Sequence, residues 1–570
     1  MLNLSPGDDR TPLGRRLAEN FVTARHLLLV AAPLGALIGC AIAGYDWVVN
    51  ELLWRHVAAL PLAAQILAPV VGLTLTGLLL HWFRVASPAM ADEVVQAYHD
   101  PETNIASPTA GAKLAASVAT MGLGASAGME GASKWLGAAI AQWVQRRLNG
   151  LRTAAFRGAT RTTLLAGAAA GIAAIFRAPL SGAIMGVESP YKRDLAHDAL
   201  VPALVASATS FWIYALLRPA TPYFAVSFHY TIEASDLLVA VPLGLSAGVA
   251  SHLFLGTLAK CRRWFGAIPS PVPVRAALGG LVLAGLAWAA WALVGEPVTL
   301  MSGLPVANAL LAGKYALAAC AAIFALKLVA TAVTFGSGGV GGLFLPSATI
   351  GAALGACWDA WLPGSYPGLF TLLGIAAFTG ASYNSLLFSA VFIAEATGNV
   401  FLVVPALIAS TFAFLATAGV SNSRSQRTER PGLRDALLDV PLAKIMTTRI
   451  VTATAEQTLD TFSRSVLLKH HFKALPVIDA QGALRGMVAV EHLRDAPPET
   501  WNTATVGDVM DASPRTLVAS HSAADAERVL AGGGYDYVPI VDPSTYRLVG
   551  IVSITDIYRA RSAQTAASAA

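Results

Sequence analysis

The sequence predicts an all-α, multi-pass membrane domain built from two inverted repeats with broken helices, followed by a smaller α/β domain that is itself doubled. Three observations carry this. Of 570 residues, 55% are hydrophobic and only 13% charged, about half the charged fraction usual in a soluble protein. The apolar part writes one pattern twice: Lys113, Glu130 and Gly137 in the first half match Lys327, Phe344 and Gly351 in the second, with the same intervals of 17 and then 7 residues. Near Ser421 the composition turns polar and arginine-rich, and from Val440 onward it is that of an ordinary α/β domain.

Residues 1–25 form a polar N-terminal segment, and the first apolar run has no small-residue cleavage site behind it, so no signal peptide is expected. Arg15, Arg16 and Arg25 precede that run, which places the N-terminus in the cytoplasm by the positive-inside bias. Arginines that merely solvate a tail would agree with the same topology. The membrane domain spans 26–420, with repeats at about 26–217 and 236–420. Apolar stretches long enough to cross a bilayer recur at His26 to Gly44, Ala58 to Leu80, Leu200 to Leu217, Leu237 to Phe254, Ala276 to Val294 and, in pieces, Phe370 to Gly419. Each repeat ends in an apolar helix carrying one acid, Glu188 or Glu395. Cys40, Cys261, Cys320 and Cys357 are scattered, without metal or disulfide spacing, and are expected to pack. A linker at 421–439 leads to paired soluble units at 440–496 and 505–561 and a tail at 562–570, so both termini are expected in the cytoplasm of a cell (inner) membrane protein.

Two glycine-interrupted apolar segments at matched places point to a transporter or channel, in which broken helices aim their backbone ends at an ion. An anion in a bilayer needs partial positive charge rather than buried full cations, which are costly and would trap it. Helix N-termini supply unpaired N–H groups and the positive end of a dipole, and glycines let the backbone approach closely. The runs Gly124 to Gly131 and Gly336 to Gly342 both lead into apolar helices. Packing of helices through small residues would explain one such run; two at matched spacing favour ion binding. Glu130, an acid inside an apolar run, is functional by default, and at a glycine-rich helix start its carboxylate imitates a halide. The alternative is a capping carboxylate on an exposed helix end. Lys113 and Lys327 either add positive potential or pair with Glu188 and Glu395 as structural bridges, the latter being favoured.

These residues resemble the CLC family of chloride channels and chloride/proton antiporters. Gly128-Met129-Glu130-Gly131-Ala132 is similar to its Gly-Lys/Arg-Glu-Gly-Pro motif, and Gly342-Leu343-Phe344-Leu345-Pro346 matches Gly-x-Phe-x-Pro. The stretch Ala173 to Gly182 followed by Glu188 matches the long central signature. The resemblance implies a homodimer in the lipid bilayer with one pathway per subunit for chloride or a similar anion. Glu130 is then the gate, leaving its site when protonated or displaced. Gly128, Met129, Gly131, Gly342, Leu343 and Phe344 are implied at the anion site, with the N–H groups of Leu343 and Phe344 as donors and the Phe344 ring as a wall. The tail resembles a tandem CBS pair, in which Ile445-Met446-Thr447 and Val509-Met510-Asp511 each open a unit. Such pairs imply an adenine nucleotide: the second unit keeps Ser553-Ile554-Thr555-Asp556, whereas the first has Ala489-Val490-Glu491-His492. Asp556 as a simple helix cap is the alternative.

Three departures bear on mechanism. The family's first anion loop reads Gly-Ser-Gly-Ile-Pro; here Arg84-Val85-Ala86-Ser87-Pro88 puts Val85 where the coordinating serine belongs, unless Ser87 substitutes. The central-site tyrosine is missing, since none lies between Tyr383 and Tyr535; Ser423 is near its place. The inner proton acceptor that follows Glu188 in many antiporters is Ser189, which does not titrate. Together these suggest a channel gated by Glu130, with proton-coupled antiport as the alternative. A CBS-bearing cation transporter would need acids or carbonyl rings along its pore, and an enzyme would need a nucleophile–base pair or metal spacing. The membrane domain has few acids and invests in helix N-termini instead, and its spans hold no nucleophile–base pair or metal-ligand spacing; no required cofactor, beyond a possible adenine nucleotide at the CBS pair, and no nucleic-acid partner are expected.

Overall fold

The computed structural model describes residues 30–100, 103–150, 160–219, 221–226, 228–362, 366–417, 419–429, 440–467, 473–531 and 535–560. The segment 1–25 with its arginines, the latter part of the linker 421–439, and the tail 562–570 lie outside them. The chain divides into two units, Met1–Glu429 and Arg430–Ala570.

The first unit is helical throughout. Its helices are α1 Val30–Ala58, then α2 Leu62–Trp82, α3 Ala91–His99, α4 Ala110–Gly122, α5 Glu130–Gly150, α6 Thr160–Phe176, α7 Pro179–Glu188, α8 Leu200–Leu217, α9 Ala234–Ala267, α10 Val272–Val294, α11 Leu304–Leu311, α12 Leu317–Gly336, α13 Phe344–Trp361, α14 Leu369–Tyr383, α15 Leu386–Thr397 and α16 Val403–Ala416. Among the described residues six helices are long and apolar enough to cross a membrane, those at α1, α2, α8, α9, α10 and α12. The others include α7, with 10 residues, and α15, with 12. At 1.5 Å per residue these reach about half of a 30 Å hydrocarbon core, so neither crosses it alone. Proline at the first position starts α7, where a missing N–H costs nothing. Left-handed Gly295 and Gly398 close α10 and α15.

The repeat is physical. Residues 123–129 join α4 to α5 and residues 337–343 join α12 to α13, and each segment turns through a left-handed glycine at its second position, Gly124 or Gly338 (φ 88° and 110°). One helix turn pair later, Gly137 of α5 lies on the Gly167 carbonyl of α6, and Gly351 of α13 lies on the Gly374 carbonyl of α14. A Cβ there would sit 2.1 Å and 2.5 Å from those oxygens, so both helix pairs meet backbone to backbone, as small residues permit in a membrane.

The second unit holds two small α/β cores. Strand β1 (Ala453–Thr454) runs parallel to β2 (Ala474–Ile478), which pairs antiparallel with β3 (Leu484–Ala489). In the second half β4 (Tyr537–Val541) pairs antiparallel with β5 (Leu548–Ser553), and Leu517 bridges Ile540 in the place of β1. Both hairpins are pinned by an aspartate after the first strand. Asp479 accepts the Gln481 and Ala483 N–H groups. Asp542 accepts the hydroxyls and N–H groups of Ser544 and Thr545, which holds its carboxyl below the ordinary range, at about 2. The opening segments are exchanged rather than local: Thr447 pairs with Ile551 of β5, and Asp511 pairs with Met487 of β3. Ile445 and Met446 pack in the second core, and Val509 and Met510 in the first.

Gly351→Ala should lower the thermal midpoint of the purified protein in detergent by several degrees. Gly285→Ala, where an added Cβ meets nothing within 4 Å, should leave it unchanged. Equal midpoints would show that the α13–α14 crossing tolerates separation.

Candidate functional site

Helices α5 and α13 start at the same point. Gly128 N–H donates to the Gly342 carbonyl at 2.8 Å and Gly342 N–H donates to the Gly128 carbonyl at 2.7 Å, clamping the two approach segments together. Glu130, the first residue of α5, reaches across this bridge to the N-terminus of α13. Its Oε1 accepts the Phe344 N–H at 2.5 Å and the Leu345 N–H at 3.3 Å. These are orphan donors of a helix's first turn, which a carboxylate satisfies while meeting the positive end of the dipole. Oε2 has no hydrogen-bond partner among the described residues, although the group is 3% exposed. A Cβ on Gly128 or Gly342 would lie 2.1 or 2.2 Å from the carboxylate oxygens, so these glycines contribute room. Their own N–H groups are spent on each other.

Beside Glu130 lies a cavity of about 340 Å³ whose lining includes Ser87, Gly131, Ser189, Gly342, Leu343 and Tyr383. It therefore gathers the predicted residues Glu130, Gly131, Gly342, Leu343, Ser87 and Ser189. Two others lie elsewhere. Val85 lines a separate surface pocket with Leu80 and Val272, whereas Ser87, two residues on, lines the Glu130 cavity, its hydroxyl accepting the Ala89 N–H at 3.2 Å. Met129 turns toward α1, where its Sδ accepts from Asn50 Nδ2 at 3.7 Å. The Phe344 ring, expected as a pathway wall, is sealed in an aromatic cluster with Phe176, Phe388 and Phe392 at centroid distances of 4.9, 5.1 and 5.2 Å; its contribution to the site is its N–H. Tyr383 stands between that ring, 5.7 Å away, and the cavity. Sequence reading searched for a hydroxyl after α16 and passed over Tyr383, which precedes the break between α14 and α15. Ser423, the suggested replacement, gives its hydroxyl to Asp92 at 2.5 Å.

The paired acids and lysines differ from expectation. Glu188 accepts the Leu387 and Phe388 N–H groups at 3.1 and 3.0 Å, capping α15. Glu395 accepts the Leu180 and Ser181 N–H groups at 3.0 and 2.7 Å, capping α7. Each repeat thus caps the other's broken helix, and among the described residues neither acid pairs with a lysine. Lys113 pairs with Glu93 at 2.5 Å. Lys327 donates to the carbonyls of Thr299, Leu300 and Met301 at 3.0, 3.3 and 2.6 Å. Both lysines are structural, through partners that lie far from the acids on the repeat pattern.

In the second unit Asp556 accepts the Ser553 N–H and hydroxyl at 3.0 and 2.7 Å, and Ser553 Oγ accepts the Asp556 N–H at 3.3 Å. This reciprocal box recurs at Ser522 and Asp525, and the Thr505 N–H and hydroxyl both donate to Asp508. Helix capping alone accounts for the Ser553–Asp556 geometry.

This fold and this seat define an anion-transporting membrane protein. The family model "Voltage gated chloride channel" matches residues 71–418, and the CBS domain model matches 442–499 and 506–563. The chain belongs to that CLC family and carries a tandem CBS region. It is 28% identical over 410 residues to the voltage-gated ClC-type chloride channel ClcB of Escherichia coli (strain K12), a match covering 68% of this chain and 94% of that protein. Among solved structures it resembles a slow cyanobacterial Cl⁻/H⁺ antiporter (TM-score 0.60, 20% identity, 70% of this chain and 95% of that one). It also resembles a CLC-type fluoride/proton antiporter (TM-score 0.60, 24% identity, 74% and 100%).

Glu188→Ala and Glu395→Ala should each destabilise the protein, by about 1–3 kcal/mol for every buried N–H left without an acceptor. Unfolding in detergent measures this. A midpoint equal to wild type in both variants would show that water reaches and satisfies these helix ends.

Proposed function

We propose that this protein exchanges a chloride-like anion for protons across the cell membrane, with Glu130 as both gate and proton carrier. The observation that carries the reading is the seating of one Glu130 oxygen on the Phe344 and Leu345 N–H groups, with the other oxygen unpartnered among the described residues. An anion can take those donors only if the carboxylate leaves, and it leaves either by protonation or by displacement. Anion and proton therefore compete at one seat, which is the elementary condition for exchange. Ser189 favoured a channel because no acid stands there to receive the proton. Yet Ser189 and Glu130 line the same cavity of about 340 Å³, roomy against the ~30 Å³ of a water molecule. Water filling that space relays the proton without a titrating side chain. The Tyr383 hydroxyl supplies the missing central hydroxyl from a different helix end. Two solved structures of this fold are described as proton-coupled antiporters, in line with the reading.

The rest of the proposal follows the family. The protein works as a homodimer in the lipid bilayer, one pathway per subunit, with both termini cytoplasmic, no required cofactor and no catalytic chemistry. The CBS pair regulates transport, with Ser553 and Asp556 as the place for an adenine nucleotide once their capping box opens.

In liposomes, an imposed chloride gradient should drive protons against their own gradient in fixed ratio to chloride. Glu130→Gln, which imitates the protonated gate, should abolish both the proton movement and the pH dependence of anion flux. Wild-type anion flux with no proton movement would instead establish the channel. An unchanged pH profile in Glu130→Gln would make Glu130 a helix cap only.

A further inference from the structure

Lys134 follows Glu130 by one turn of α5, about 6 Å of rise. It lies three residues beyond the run Gly124 to Gly131 and lines the cavity that holds Glu130 and Ser189. Its side chain is 3% exposed. It makes no ion pair or hydrogen bond with a described residue, in contrast to Lys113 and Lys327, and it lines the cavity. Such a cation, buried and unpartnered, is rare unless something negative visits it.

The charges around it do not supply that partner. Asp92 also lines the cavity and acts on Lys134 only through space. Its oxygens are taken by the Ser423 hydroxyl and by the Ser425 N–H and hydroxyl. Arg262 and Arg424 line the same cavity, and Arg262 is likewise coupled to its neighbours only through space. Three cations thus face two carboxylates, of which Asp92 is tied to serines and Glu130 sits on α13. When Glu130 is protonated, Asp92 is the one carboxylate of this lining left against three cations; Arg424 is exposed, whereas Lys134 is buried, where an uncompensated charge is costly.

We infer that Lys134 is the principal ligand of a second anion site, one helical turn from the Glu130 seat, which takes a monovalent anion of halide or nitrate size. The inference rests on the reading of this cavity as the anion pathway. The site uses a full charge where the seat on α13 uses backbone N–H groups. It therefore loads the cavity with an anion while Glu130 still occupies the seat.

The test is calorimetric titration of chloride into full-length, detergent-purified protein prepared without halide, alongside liposome flux. Lys134→Met keeps the length and removes the charge. It should lose one bound anion per subunit or weaken chloride binding by at least about tenfold, about 1.4 kcal/mol. Lys134→Arg should retain the wild-type stoichiometry. Lys134→Met with wild-type stoichiometry and affinity would overturn the site. Should Lys134→Met not fold, crystals of the wild-type protein grown in bromide decide: an anomalous peak in contact with Lys134 Nζ supports the site, and its absence overturns it. Wild-type anion flux without proton movement would defeat the antiport reading while leaving this binding result untouched.

Discussion

Two helices that begin at the same point cannot leave that point empty. The N-termini of α5 and α13 are drawn together by the Gly128–Gly342 bridge, so two dipoles present their positive ends to one small space. The Glu130 carboxylate stands there, and on the proposed reading an anion takes its place in turn, an interchange that would make it a gate. The same device appears in fixed form on the shorter helices. Glu188 and Glu395 have both oxygens engaged by N–H donors and act as permanent caps. Glu130 has one oxygen engaged and the other without a partner. Glu130 accepts as many N–H groups as Glu188, but all on one oxygen; its other oxygen can take a proton without giving up a hydrogen bond, which on the proposed reading separates it from the two fixed caps.

Much of this was legible in the sequence because the repeat imposes it. Matched spacing located Glu130, Phe344, Gly137 and Gly351, since each marks a place where a helix must start or two backbones must touch. Glu188 and Glu395 were recognised as buried acids, but their partners were not. The repeat pattern shows which residues correspond, whereas capping joins residues that do not correspond, one helix's end to the other's beginning. Motif alignment also assigned Met129 and Val85 to the anion site. A neighbour in a motif shares the chain's path but not its direction, and at a helix start successive side chains diverge by about 100°. Tyr383 and Lys134 escaped for the opposite reason. Their roles arise from a helix end and a helix face that turn toward the cavity only once α14 and α5 are packed. In the second unit the duplication was plain, but the exchange of opening segments depends on pairing between halves that local strand patterns do not encode.

The two means of holding an anion along this cavity have different consequences. Backbone N–H groups hold through partial charges that exist only in register with the helix axis, so they select an ion that sits on that axis and release it readily when a competing carboxylate returns. The Lys134 ammonium is a point charge on a flexible stem, without directional demand. Placed at the seat itself it would pair with Glu130 and lock the gate shut. One turn away, it cannot replace the N–H groups, yet it offsets the loss of solvation for an anion that waits. On the two proposals together, charge in the cavity and dipoles at the seat would divide the work: the first would make entry favourable, the second departure possible, with Glu130 between them deciding which is under way.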